Sequence, residues 1–173
     1  AKNIKYVMGL GDVTDKDLNE EWVHAVNQFA KLEAAGIPYP VVRGNHESVA
    51  KYNEYMLGDG INYADMIDGC YKSGDYTNTY TKFTVGDTKY MVFVLNYGAE
   101  DAVLNWAGEL IKANPDHRVI LTTHAYLFRD GHTIDKGDVV PPDNTGNGGH
   151  VKEVNVDFYV EYKIADPVKA VYS

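Results

Sequence analysis

The chain has 173 residues, of which 45% are hydrophobic and 24% charged, and its formal net charge at pH 7 is −9. This composition excludes disordered and low-complexity proteins, because such chains cannot bury enough apolar surface to offset their conformational entropy. The negative charge argues against a protein that grips a nucleic-acid backbone, and the single cysteine, Cys70, excludes an intrachain disulfide and a thiolate metal cluster.

Length and hydropathy predict one domain over residues 1–173. No stretch approaches the ~20 apolar residues that a membrane-spanning helix needs, and the first residues lack the apolar core of a signal peptide. We therefore expect a soluble chain without a membrane span. Its start at Ala1, without a methionine, favours a processed product or a fragment of a longer protein.

The first part of the chain has the pattern of a βαβ unit. Ile4 to Leu10 predicts a short buried strand, and Thr14 or Asp15 is expected to cap a helix over about Asp17–Ala35. Val41-Val42 predicts a second buried strand, which in such a unit runs parallel to the first. The helix has one apolar face, formed by Leu18, Trp22, Val26, Phe29 and Leu32. The fold class is therefore predicted to be α/β.

The rest of the chain alternates between strand and helix patterns. Gly86-Asp87 joins two runs rich in Tyr, Thr, Val and Phe, which is the composition of a β-hairpin. Residues 58–75 carry weak periodicity, and residues 128–150 predict a long loop of the kind that usually has a functional reason. The remaining predicted elements are helices over Val49–Leu57 and Ala102–Ala113, hairpin strands over Thr77–Val85 and Thr88–Asn96, and strands over Arg118–Thr123 and Val154–Lys163.

Three polar residues stand where apolar strands stop. Asp12 follows the first predicted strand, Asn45 the second, and His124 the strand that ends at Thr123. Since ligands of α/β sheets bind beyond the carboxyl ends of the strands, these side chains can share one site. A carboxylate, an amide oxygen and an imidazole form a mixed donor set that suits Mn, Fe, Zn or Ni. The pattern indicates a divalent-metal site.

The segments around these residues resemble a known family. Leu10-Gly11-Asp12-Val13-Thr14-Asp15, Val42-Arg43-Gly44-Asn45-His46-Glu47 and Thr123-His124 are similar to the second, third and fourth motifs of the calcineurin-like metallophosphoesterases. The middle motif, Gly-Asn-His followed by Asp or Glu, is the most specific of the three. The resemblance is strongest over residues 1–125.

The resemblance implies a role for each matching residue. Asp12 would bridge two metals, Asn45 and His124 would ligate the second metal, and His46 would be the acid beside the leaving group. The implied fold is a sandwich of two β-sheets flanked by helices. The implied activity is hydrolysis of a phosphate mono- or diester by metal-activated hydroxide, with a phosphate ester as the partner molecule.

Two motifs of the family have no full counterpart here. An Asp-x-His segment is missing before Gly11-Asp12, and the closing Gly-His-x-His is matched only by Gly149-His150-Val151-Lys152. The domain is therefore expected to be truncated at both ends and to hold one of the two metals. His150 is a possible fourth ligand of that metal, and His132, in the long loop, is a candidate substrate contact.

Simpler explanations exist for single residues. Asp12 alone would more often cap a helix, Asn45 would form a turn, and Arg43 would pair with a carboxylate rather than a phosphate. Glu47 is expected to support the site rather than bind metal. The alternatives to an enzyme are a non-catalytic metal-binding or surface-interaction module and an inactive fragment of a larger phosphoesterase.

Overall fold

The computed structural model describes residues 4–58 and 60–125. Four helices and four strands lie in this part of the chain. In order they are α1 (Asn19–Ala34), α2 (Val49–Met56), α3 (Tyr63–Met66), β1 (Gly69–Lys72), β2 (Asp75–Val85), β3 (Thr88–Leu95), α4 (Asp101–Ala113) and β4 (His117–Thr123). The predicted α/β class is confirmed.

The four strands form one mixed sheet in the order β1-β2-β3-β4. The first three strands are antiparallel neighbours, whereas β4 runs parallel to β3, with Leu95 opposite Thr123. The predicted hairpin is confirmed, and Gly86 in its turn has a φ of 58°, a conformation that glycine adopts without steric cost. Because α4 connects β3 to its parallel neighbour, both strands end at the same edge of the sheet.

The first two predicted strands pair in parallel, but through an isolated bridge between Gly9 and Val41 rather than a continuous ladder. The Gly9 N–H donates to the Pro40 carbonyl, and the Val42 N–H donates to the Gly9 carbonyl. Two residues earlier, the Val7 N–H donates to the Pro38 carbonyl. The next bond of the ladder would run from residue 40 to the Val7 carbonyl, but Pro40 has no N–H to donate. The proline therefore ends the ladder after one bridge.

Two clusters of buried apolar residues form the core of the described part of the chain. In the first, Trp22 and Val26 of α1 pack with Val41 and with residues of α2 and α3. In the second, Val103 and Ala107 of α4 pack on Met91, Phe93 and Leu95 of β3. On the predicted apolar face of α1, Phe29 and Leu32 are partly buried, whereas Leu18 is exposed.

Three local expectations need correction or completion. Helix α1 begins after Leu18, so neither Thr14 nor Asp15 is its cap, and the Glu21 carboxylate instead accepts the backbone N–H groups of Lys16 and Leu18. The segment with weak periodicity contains α3 and β1. The predicted long loop and the strand Val154–Lys163 lie outside the described residues. Within residues 4–58 and 60–125, no helix has the length and apolar character needed to cross a bilayer.

Candidate metal and phosphoester site

Asp12, Asn45 and His124 meet beyond the carboxyl ends of the strands. His124 follows β4 directly, Asp12 lies three residues after the Gly9–Val41 bridge, and Asn45 lies four residues after that bridge on the other segment. His124 Nε2 is 2.9 Å from Asn45 Oδ1 and 3.2 Å from Asp12 Oδ2. The structure thus brings together the three residues that the strand-end pattern singled out.

The orientation of the His124 ring is set by the backbone. Its Nδ1 lies 2.7 Å from the Leu10 carbonyl oxygen, which can only accept a hydrogen bond, so Nδ1 carries the proton. In the neutral ring Nε2 then carries a lone pair, which faces two further acceptors, Asn45 Oδ1 and Asp12 Oδ2. A proton or a cation between these atoms relieves their mutual repulsion.

The charges of Asp12 and His124 stabilise each other. Burial raises the pKa of Asp12, but the hydrogen bonds from His124 and the His46 backbone N–H, together with the histidine charges, lower it below its ordinary value overall. Burial lowers the pKa of His124, yet its interactions with Asp12 and the Leu10 carbonyl raise it overall. The pair favours the ionised carboxylate and a positive charge next to it.

Two glycines allow the loops to approach so closely. A Cβ on Gly44 would lie 2.0 Å from Asp12 Oδ1 and 2.4 Å from the Asp12 backbone nitrogen. A Cβ on Gly11 would lie 2.7 Å from His124 Nδ1, and Gly11 also has a φ of 94°. Both positions therefore need glycine, one for space alone and one for space and backbone conformation.

The carboxylate of Glu47 joins the two loops that carry Asp12 and Asn45. One oxygen accepts the backbone N–H groups of Asp12 (3.2 Å) and Gly44 (2.6 Å), and the other accepts the N–H and hydroxyl of Thr14. Glu47 is 2% exposed. All its bonds run to loop donors rather than toward the Asp12–His124 pair, which agrees with the expectation that Glu47 supports the site.

His46 also lies beside Asp12. Its backbone N–H donates to Asp12 Oδ1 at 3.2 Å, and its ring Nδ1 donates to the Asp15 carbonyl at 2.6 Å. Its Nε2 faces Asp12 Oδ2 at 3.9 Å. Asp15 therefore orients the His46 ring through its backbone oxygen, a role that no sequence pattern indicates.

Arg43 contacts neither a carboxylate nor the Asp12–His124 pair among the described residues. Its guanidinium donates to the Glu47 carbonyl and to Asn96 Oδ1, and it lies 4.6 Å from the centre of the Tyr97 ring. Neither Asn96 nor Tyr97 is among the residues that the sequence predicts for the site. The rule that selected Asp12 and Asn45 would have found Asn96, because it is a polar residue directly after the apolar strand β3.

The three-residue set fits one divalent ion. Two ligand atoms ~2.1 Å from one ion at ~90° lie ~3 Å apart, which agrees with the separations of 2.9 and 3.2 Å around His124 Nε2. No group of three or more His, Cys, Asp or Glu side chains that could hold a metal occurs in the part of the chain that the structure describes. The set here contains only two such residues, and asparagine supplies the third donor.

The roles of the predicted site residues stay predictions. The structure places Asp12, Asn45, His46 and His124 together, whereas His132 and His150 lie outside the described residues. The assignment of residues 1–173 to one domain also stays a prediction.

Comparison with known proteins identifies the family. Residues 1–163 match the family model of the calcineurin-like phosphoesterases, whose members are metal-dependent phosphoesterases. The chain is 29% identical over 143 residues to YvnB of Bacillus subtilis (strain 168), an uncharacterized protein; the match covers 80% of this chain but 11% of YvnB. No solved structure shows significant similarity to the chain. The family match spans most of the chain, which therefore belongs to the calcineurin-like phosphoesterases.

Proposed function

We propose that this chain hydrolyses phosphate mono- or diesters with one divalent metal ion of the Mn, Fe, Zn or Ni type held by Asp12, Asn45 and His124. The observation that carries the proposal is the position of Asn45 Oδ1 and Asp12 Oδ2 at 2.9 and 3.2 Å from His124 Nε2, at the carboxyl edge of the strands. Mixed oxygen and nitrogen donors suit such ions. Membership of the family supports the reaction class.

When bound, the ion lowers the pKa of coordinated water from ~15.7 to ~7 and polarises a phosphoryl oxygen. The protein residues hold the two loops together and orient the ligand side chains. Glu47 fixes the two loops through Asp12 and Gly44, and the Leu10 carbonyl keeps Nε2 of His124 turned toward the donor set. His150 would complete the coordination and His132 would contact the substrate, as the sequence predicts.

His46 is the proposed proton donor to the leaving group. In the doubly protonated ring the Nδ1–H remains on the Asp15 carbonyl, and the protonated Nε2 lies on the side of Asp12, 3.9 Å from Oδ2. The backbone bond from His46 N–H to Asp12 Oδ1 keeps the ring next to the donor set. His46 is thus placed to deliver a proton without itself holding the ion.

Calorimetric titration of the chain with Mn²⁺ or Zn²⁺ tests the metal site. We expect one ion per chain, with the affinity lowered about 100-fold or more in His124→Ala and Asn45→Ala, because each change removes a ligand. His24→Ala is the matched control, since His24 is exposed on α1. Equal affinity in the parent, His124→Ala and Asn45→Ala would contradict the site.

Hydrolysis assays with the loaded chain test His46. We expect His46→Ala to lower kcat about 10²–10⁴-fold for an alkyl phosphate and much less for a nitrophenyl phosphate, whose leaving group needs little protonation. Metal affinity should change far less than kcat. An equal loss with both esters would remove His46 from this role. One tightly bound ion without hydrolysis of either ester would instead support a non-catalytic metal-binding module.

A further inference from the structure

A cavity opens at the same edge of the sheet as the Asp12–His124 centre. It has a volume of about 470 Å³, which is in the range of small-molecule sites. Its walls come from the start of α2, from β1 and the start of β2, and from the loop between β3 and α4. We call this cavity the side pocket; among its lining residues are Arg43, Tyr71, Lys72, Asp75, Asn96 and Tyr97.

The side pocket begins next to the proposed metal ligands. Arg43, which is 6% exposed and lines it, stands two residues before Asn45. Asn96 follows Leu95, which is the parallel partner of Thr123, and His124 follows Thr123. Since adjacent strands are ~4.8 Å apart, Asn96 and His124 emerge side by side from the same edge of the sheet. An ester bound at the metal centre can therefore extend into the side pocket.

The polar groups of the side pocket are only partly used by the protein. Asn96 Oδ1 accepts from Arg43, but the Asn96 side-chain NH₂ has no partner among the described residues. Asp75 Oδ1 accepts from Asn53 and from the N–H and hydroxyl of Thr77, whereas Asp75 Oδ2 has no hydrogen-bond partner in the same part of the chain. A donor and an acceptor thus remain for a ligand.

The net charge and the aromatic rings of the side pocket indicate which class of ligand it can bind. Arg43 and Lys72 are balanced by Asp75 and Glu100, so the lining carries no net charge. Tyr71 and Tyr97 add aromatic surface, and Tyr97 is held by Arg43, 4.6 Å from its ring centre. Neutral lining, separate donors and acceptors, and flat apolar rings suit an uncharged group that carries many hydroxyls on a ring.

We infer that the side pocket binds the hydroxyl-rich alcohol part of the ester, a sugar or cyclic polyol, an inference that rests on the proposed phosphoesterase function. Asn96 and Asp75 would exchange hydrogen bonds with the hydroxyls, and a tyrosine ring would cover the apolar face of the sugar ring. The side pocket then determines which phosphate esters the chain prefers.

Steady-state kinetics of the metal-loaded chain test the inference. The quantity measured is kcat/KM for glucose 6-phosphate divided by kcat/KM for methyl phosphate, whose alkyl group is too short to fill the side pocket. Asn96→Asp keeps the acceptor for Arg43 and removes the free NH₂, and Tyr97→Leu removes the aromatic ring while keeping an apolar side chain. We expect the ratio to fall about 10-fold in Asn96→Asp and about 5-fold in Tyr97→Leu.

Asn105→Asp, exposed on α4, and Tyr90→Leu, on β3 outside the side pocket, are the matched controls. The inference is wrong if the ratio is the same in the parent, both pocket variants and both controls while methyl phosphate is still hydrolysed. It is also wrong if thymidine monophosphate is preferred over glucose 6-phosphate and only that preference responds to Asn96→Asp.

A binding measurement separates this inference from the proposed function. Saturation-transfer NMR with free glucose and free myo-inositol reports on the side pocket without any turnover. If no ester is hydrolysed, the proposed function fails, and the side pocket is supported by a sugar signal that Asn96→Asp weakens. Absence of a sugar signal in the parent chain would overturn the inference whether or not esters are hydrolysed.

Discussion

Asp12 and His124 face each other from two regions that are stabilised in different ways. His124 follows β4, which is paired with β3 along His117–Thr123, and α4 packs on β3 in the second apolar cluster. Asp12 follows a segment with one isolated bridge, and its loop is held by Glu47 and by close contact with Gly44. We call the region of β3, α4 and β4 the ladder side, and the loops around Asp12 and Gly44 the loop side. The ladder side should tolerate single substitutions, whereas the structure of the loop side depends on contacts between a few atoms.

Gly44→Ala should have the largest effect, because the new Cβ would lie 2.0 Å from Asp12 Oδ1 and 2.4 Å from a backbone nitrogen that cannot move cheaply. We expect a loss of about 3 kcal/mol or more in the free energy of unfolding. Metal affinity should fall at least about 100-fold, because Asp12 is displaced. Urea denaturation and metal titration measure the two effects.

Gly108→Ala is the matched change on the ladder side. Gly108 lies inside α4, and a Cβ there meets nothing within 4 Å. Alanine should therefore stabilise the chain by about 0.5–1 kcal/mol through its higher helix propensity. Similar losses in both variants would contradict the contrast between the two regions.

Glu47→Gln should have the next largest effect. In the parent chain each carboxylate oxygen of Glu47 accepts two hydrogen bonds from the loops. The change replaces one of these oxygens by an NH₂ group, which can only donate. With buried N–H groups left unpaired, the free energy of unfolding should fall by about 1–3 kcal/mol. Denaturation followed by tryptophan fluorescence measures this loss. Glu54→Gln, exposed on α2, should change stability by less than about 0.5 kcal/mol, and an equal loss there would remove the special role of Glu47.

Pro40→Val tests why the segment before Asp12 has only one bridge, because the change should lengthen the pairing at Gly9 and Val41. The new amide at position 40 can donate to the Val7 carbonyl, the bond that Pro40 cannot form. The gained hydrogen bond, worth ~1 kcal/mol, is offset by the greater freedom of the unfolded chain, so net stability should change by less than ~1 kcal/mol. Hydrogen exchange should show protection of the new amide. Exchange at the rate of an unstructured peptide would refute the explanation based on Pro40.

Asp75→Asn should have the smallest effect, and one that depends on pH. Burial raises the pKa of Asp75, but hydrogen bonds from Thr77 and Asn53 lower it overall. A lowered pKa in the folded state means that the stabilisation is present above the unfolded value of ~3.9 and is lost as pH falls through the folded value. The stability difference between parent and variant, below ~1 kcal/mol at pH 7, should vanish in acid. A difference that grows in acid would contradict this sign.

The sequence predicts the ladder side of the molecule better than the loop side. The hairpin around Gly86-Asp87, α4 and β4 are visible from local patterns, because turn chemistry and periodicity agree with the final packing. Elements α3 and β1 are four residues each, which is too short for a hydrophobic period to show, and β1 exists through its pairing with β2.

For the candidate site, the sequence predicts which residues meet but not how they are held. The strand-end rule selects Asp12, Asn45 and His124, since backbone topology alone brings them to one edge. The hydrogen bonds from Leu10 and Asp15 run through backbone carbonyls, which carry no side-chain signal in the sequence. Helix α1 begins later than a cap at Thr14 or Asp15 would place it, and the Thr14 N–H and hydroxyl instead donate to Glu47, a distant residue that no local pattern connects with Thr14.

The bond between the His124 ring and the Leu10 carbonyl joins residues 114 positions apart. Closing so long a loop is entropically costly, and contacts of this span usually form late in folding. The donor set is therefore complete only after the helix, hairpin and crossover between Leu10 and His124 are in place. During refolding, we expect metal uptake to report the final step, the arrival of the two chain segments at a common edge.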